Sequence, residues 1–91
     1  MIVSLSEAKE YLRVDNHVEN TLIETLIKSA QKLCEDVSRL DTAEFEAAGD
    51  VAKIATLFTL GYLYEHREEA DYHELTLRLR SLLTGIRKAA F

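Results

Sequence analysis

The chain has no proline, no tryptophan, a single cysteine and only three glycines (Gly49, Gly61 and Gly85) in 91 residues. Without proline and with little glycine, the usual breakers of regular structure are missing, and abundant Leu, Ala, Glu and Lys favour helix over sheet. Three scattered glycines cannot build a phosphate-cradling loop. A lone Cys34 excludes an internal disulfide and fits a reducing compartment. The opening MIVSLSEAKE carries neither a basic n-region nor a long apolar core, so no secretory leader is expected in it. The longest apolar-rich run is interrupted by Thr56 and Thr59 and falls short of the ~20 residues a membrane span needs. These absences predict a soluble protein made in a cytoplasm.

Acids are missing from the last part of the chain. All sixteen lie at or before Glu74, where seven bases accompany them, whereas residues 75–91 carry four bases and no acid. The overall net charge is −5. An acidic body argues against ordinary DNA binding, which neutralises phosphates with cations. The basic C-terminal stretch suits an acidic neighbour. More simply, Arg87 and Lys88 suit the C-terminal end of a helix, where the macrodipole favours cations.

What is present is helical periodicity. With 47% hydrophobic and 30% charged residues, the composition is that of one small globular domain spanning 1–91. Ser4-Leu5-Ser6-Glu7 matches a capping box and opens a first helix with the stripe Leu5, Ala8 and Leu12 beside Tyr11. The run 13–16 breaks it. Asn16-His17-Val18-Glu19 repeats the cap-to-glutamate spacing and predicts a long second helix. Its stripe is Val18, Leu22, Ile23, Leu26, Ile27, Ala30, Leu33, Cys34 and Val37, with Glu24 and Lys28 as an exposed i, i+4 pair. Asp41 or Thr42 can cap a short third helix through Ala48, anchored by Phe45. Gly49 would end that helix and Asp50 would cap the next.

The fourth helix, expected from about Val51 to Glu68, is the unusual one. Ile54, Phe58 and Tyr62 fall on one flank, Leu57 and Tyr64 on a second, Leu60 and Leu63 on a third, so it has no polar side until Glu65. Gly61 in its middle predicts a close helix approach, because glycine there costs about 1 kcal/mol relative to alanine. A polar link over 69–73 leads to a fifth helix, about Glu74 to Lys88, with Leu75, Leu79, Leu82, Leu83 and Ile86 on one face. The expected fold is an all-α bundle of four to five helices with a long second helix and a central apolar fourth. So small a chain cannot wrap such a rod completely, since a small domain buries only roughly 60–65% of the surface its unfolded chain exposes. The excess apolar surface is expected to face a partner or further copies of the chain.

Residues with chemistry are few. His66, Glu69 and His73 could converge on a metal only if the intervening link were helical. His73-Glu74 begins like H-E-x-x-H, but Leu77 occupies the closing position, and no E-x-x-H spacing occurs anywhere. Cys34 falls on an apolar stripe, as a small buried hydrophobe does. Glu35-Asp36 and Glu68-Glu69 are sequence neighbours, which diverge on a helix. The expectation is a non-enzyme without cofactor or metal.

Three segments carry a resemblance. Residues 3–15, VSLSEAKEYLRVD, form an opening helix that breaks at an aspartate. Residues 20–36 run from Asn20-Thr21-Leu22-Ile23-Glu24 to Cys34-Glu35-Asp36, a long helix first acidic and then aliphatic. Residues 60–68, LGYLYEHRE, end a central helix in a tyrosine-glutamate-x-arginine-glutamate block. In this order and spacing they resemble the head–tail connector proteins of long-tailed bacteriophages, the gp6-like family. Leu82-Leu83-Thr84-Gly85-Ile86-Arg87 is similar to the family's last helix, although the proline that often precedes it is absent here.

The resemblance implies a structural virion protein of a phage or prophage. Identical subunits would form a ring between portal protein and tail-completion proteins, through which DNA passes without specific binding. It implies assembly in the bacterial cytoplasm and no active site. An acidic body suits such a channel, because basic walls would hold the DNA. The competing expectation is a small acidic helical binding or regulatory module, antitoxin-like in kind. Tyr62, Tyr64, Arg67 and Glu68 are the expected subunit-contact residues, since tyrosine and arginine are enriched at interface hot spots. Tyr62 and Tyr64 lie about 200° apart around a helix, so one would face the core and the other a neighbour. The alternative is that both pack within one subunit, with their hydroxyls at its edge.

Overall fold

The computed structural model describes residues 1–87 as an all-α fold of five helices, 69% helical and without strands among those residues. They are α1 (Leu5–Leu12), α2 (Asn20–Ser38), α3 (Thr42–Ala47), α4 (Asp50–Glu65) and α5 (Tyr72–Leu82). None is long and apolar enough to cross a membrane.

α1 starts as its sequence dictates. Ser4 Oγ accepts from the Glu7 amide and the Glu7 carboxylate accepts from the Ser4 amide, both at 3.1 Å. It stops at Arg13, which adopts the left-handed conformation (φ 60°), so that the Val14 amide reaches back to the Lys9 carbonyl. α2 departs from expectation at its start. Asn16 Oδ1 accepts from the Val18 amide at 3.0 Å, which makes a local turn instead of a helix cap, and the helix begins only at Asn20. Val18 is therefore off the stripe and 90% exposed. The exposed i, i+4 ion pair on α2 is Lys32–Asp36, at 3.1 Å, and not the expected Glu24–Lys28.

Asp41 caps α3 through the Glu44 amide at 2.8 Å, and Phe45 is fully buried beneath it. Gly49 (φ 72°) both follows α3 and precedes α4, a conformation glycine adopts without strain. Asp50 is then the first residue of α4 and not its cap. α4 ends at Glu65, one turn earlier than expected, and α5 begins at Tyr72, capped by Asp71 Oδ1 on the Glu74 amide at 3.1 Å.

α2 and α4 form the main seam, with α1 and α5 each packing on both. The buried face of α4 is Ala52, Ala55, Thr56, Thr59, Leu60 and Leu63. Both threonine hydroxyls donate to the carbonyl four residues back, at 2.8 Å, which lets them lie fully buried without an unpaired donor. Opposite them, α2 contributes Ile23, Ile27, Ala30 and Cys34, and Cys34 Sγ lies 3.4 Å from Thr59 Oγ1. α4 is not covered all round. Val51 and Ile54 are 41% and 59% exposed, and Phe58 is half-buried. Leu75, Leu79 and Leu83 bury α5, each large aliphatic side chain contributing about 1.5–3 kcal/mol of transfer free energy. Leu82, expected on that face, is 42% exposed. Arg87 Nε donates to the Val37 carbonyl at 2.9 Å, so the helix end it serves is that of α2 and not its own. Lys88 lies outside the described residues.

Candidate functional site

The end of α4 carries the four residues expected at a subunit contact, and three of them are engaged within the chain. Tyr64 Oη donates to Glu19 Oε1 at 2.8 Å, and Arg67 NH1 bonds to Glu19 Oε2 at 2.9 Å. The guanidinium also lies 4.9 Å from the Tyr64 ring centroid, within cation–π range. One carboxylate thus gathers both side chains. Glu19 is the residue before α2, where the helix macrodipole favours a negative charge. The bond to Glu19 holds the Tyr64 phenol above the ordinary tyrosine range, and burial and the carboxylate charge act in the same direction.

Tyr62 points elsewhere. Its hydroxyl accepts from the Asp71 amide at 2.9 Å and sits 3.4 Å from the Asp71 carbonyl, tying the start of α5 to α4. Its ring stacks on His66 with centroids 4.2 Å apart, and His66 Nδ1 donates to the Tyr62 carbonyl at 2.9 Å. The two tyrosines therefore diverge as their spacing requires, each spanning from α4 to a different element. Glu68 is exposed beside Glu65 and Glu69, and the three carboxylates have no side-chain partner among the described residues.

Sequence reasoning missed Glu19 and Tyr11. In sequence Glu19 reads as the closing glutamate of a cap at Asn16; its carboxylate makes no cap bond and turns to Tyr64 and Arg67 instead. Tyr11, half-exposed on α1, lays its ring over Gly61, where an added Cβ would stand 3.1 Å from Tyr11 Cε2. The close approach expected at Gly61 is thus made by an aromatic edge and not by a helix backbone. Tyr11, Arg13, Phe58, Tyr62, Glu74 and Arg78 are among the residues lining an open groove of about 620 Å³ along the outer side of α4, between α1 and α5.

No known family, curated protein or solved structure matches the chain.

His66 and Glu69 lie in the non-helical α4–α5 link and His73 in the first turn of α5, and no three His, Cys, Asp or Glu side chains among the described residues are grouped to hold a metal ion. Cys34 is buried, and desolvation raises its thiol above the ordinary range, outweighing the opposite influence of the neighbouring Thr59 and Thr56 hydroxyls. A thiol held protonated is a poor nucleophile.

Proposed function

We propose that this chain is a structural assembly subunit, a ring-forming head–tail connector of a tailed phage or prophage that sits between portal and tail-completion proteins. The observation that carries the reading is the uncovered side of α4. Val51 and Ile54 stand exposed on the helix that forms the centre of the fold, with Phe58 of the same helix and Tyr11 of α1 beside the groove. Apolar surface on a central helix is where a small subunit gains from meeting another protein. The resemblance of residues 3–15, 20–36 and 60–68 supplies the kind of assembly, and the acidic surface is compatible with a channel for DNA.

Purified protein mixed with portal particles tests the reading by co-sedimentation. Stoichiometric binding is the expected result, and failure to bind portal at any concentration sinks it. A second reading, a binding module for a peptide or regulatory partner, is favoured by the groove between α1 and α5, whose lining mixes aromatic side chains with Arg13, Glu74 and Arg78. The two separate by gene neighbourhood: portal, capsid and tail genes on either side support the connector, and an adjacent toxin or regulatory operon supports the module.

A further inference from the structure

The segregation of charge along the chain becomes a segregation in space. α5 presents His73, Leu77 and Arg80 along one exposed flank, at i, i+4 and i+7. Leu77 is 50% exposed, and Arg80 has no carboxylate partner among the described residues, whereas Arg78 is already paired with Glu74 at 2.7 Å. The end of α4 and the link beyond it present Glu65, Glu68 and Glu69, all exposed and unpaired there. Arg80 stands eight residues into α5, about 12 Å along its axis from the link. Within one chain no bond joins Arg80 to Glu65, Glu68 or Glu69 among the described residues.

We propose that the Leu77–Arg80 flank of α5 docks on the Glu65–Glu69 end of α4 in a second copy of the chain. This rests on the assembly reading and names the surfaces that meet. An exposed leucine beside an unpaired arginine fits an acidic patch that already contains Arg67 and the stacked Tyr62–His66 pair. The two surfaces differ, so the contact is heterologous. Repeated by rotation, it closes a ring; without closure, it extends as a filament. The contact is largely ionic at its rim, so self-association weakens as salt shortens the screening length from ~10 Å at 0.1 M to ~3 Å at 1 M.

The experiment uses two charge-reversed full-length variants, Arg80→Glu and the double variant Glu68→Arg/Glu69→Arg, analysed by sedimentation velocity alone and mixed one to one. All three positions are exposed, and thermal melts confirm folding; Arg80→Gln serves as a milder version should Arg80→Glu lower the melting point. Wild type is expected to self-associate at low salt, and each variant alone to do so about tenfold more weakly or worse. The mixture regains wild-type association, because each variant's α5 then meets an acceptor of opposite charge in the other. Variants that associate as well as wild type, or a mixture that fails to recover, overturn the proposed pairing while leaving portal binding intact. A wild type that stays monomeric at low salt across the micromolar to millimolar range also overturns it. The connector reading then stands or falls on the portal experiment alone.

Discussion

Gly61→Ala should stabilise the protein, although a glycine at the centre of a buried helix usually signals the opposite. The added methyl would stand 3.1 Å from Tyr11 Cε2, 3.6 Å from its hydroxyl oxygen and 3.8 Å from Cζ. Only the first of these is too close, by a few tenths of an ångström. Tyr11 is 50% exposed and its hydroxyl has no partner among the described residues, so the ring can swing outward. Replacing a mid-helix glycine by alanine gains about 1 kcal/mol. A ring displaced enough to expose ~20 Å² of apolar contact loses about 0.5 kcal/mol at 25 cal/mol/Å². The balance is about 0.5 kcal/mol in favour of alanine, or about 2–4 °C in Tm for a domain of this size.

Urea unfolding followed by far-ultraviolet circular dichroism resolves a difference of that size when the m-value is unchanged. The Tyr11→Ala background isolates the two contributions. With the ring gone, Gly61→Ala should deliver the whole helix-propensity gain of about 1 kcal/mol. A Gly61→Ala protein destabilised by more than 1 kcal/mol would refute the reasoning, because it would mean that Tyr11 is fixed in place and that the glycine is there to admit it.

Leu79→Ala removes a fully buried side chain that joins α5 to the α2–α4 pair, and should cost about 2–5 kcal/mol in the same unfolding assay. Arg39 ends α2 at φ 61°, a conformation that β-branched residues avoid. Arg39→Val should therefore destabilise by about 1–2 kcal/mol, and Arg39→Gly should change stability by no more than about 0.5 kcal/mol in either direction. Stability should fall at both the acid and the alkaline extreme in a pH series of thermal melts. On the acid side, Glu7 is held low first by its bond from Lys53 and Glu46 first by its bond from Gln31; the folded state binds these protons less readily than the unfolded chain. Their contribution is present above the ordinary glutamate range and is lost as pH falls through the depressed values, below about pH 4. On the alkaline side, Tyr64 is raised by its bond to Glu19 and Lys32 by its bond to Asp36. The unfolded chain then loses protons first, and stability declines above about pH 10.

The helices were legible because they depend on local chemistry. Ser4 with Glu7 is a cap in sequence and in space, and of the two candidates for α3, Asp41 and Thr42, it is Asp41 that caps, paired with Glu44. Asn16 with Glu19 has the same spacing, yet Asn16 spends its side-chain oxygen on the Val18 amide two residues on, an Asx turn that competes with capping. Spacing alone does not tell these outcomes apart. The far end of α4 was misjudged for a related reason. Arg67 and Glu68 are good helix formers, but the helix stops at Glu65. Arg67 reaches the Glu19 carboxylate 48 residues away, and the Tyr62 hydroxyl takes the Asp71 amide. Both are tertiary bonds, invisible to a periodicity argument. The bonds made by Tyr64 and Arg67 were not legible, because Glu19 approaches them only once α2 and α4 are packed.

The reversal on α4 explains why apolar surface is left over at all. Hydropathy alone would bury Ile54 and expose Thr56 and Thr59; the fold does the opposite. Thr59 meets Cys34 across the seam, Ala30, Ala52, Ala55 and Thr56 are buried on the same two helices, and side chains this small permit a close approach of helix axes, where dispersion contacts are densest. Their two hydroxyls are silenced by their own helix carbonyls, so the polar atoms bring no desolvation debt. Of the larger residues only Leu60 and Leu63 share that face; Leu57, Phe58, Tyr62 and Tyr64 lie half-buried on the flanks, and Ile54 and Val51 are exposed. The exposed stripe is thus a consequence of how the core seam is built, and polar replacements at Val51 or Ile54 would leave that seam untouched. The Glu19 bonds of Tyr64 and Arg67 bear on the proposed assembly in a second way. Side chains already fixed within the subunit have little rotamer freedom left to lose when a neighbour docks, which lowers the entropic cost of contact at that end of α4.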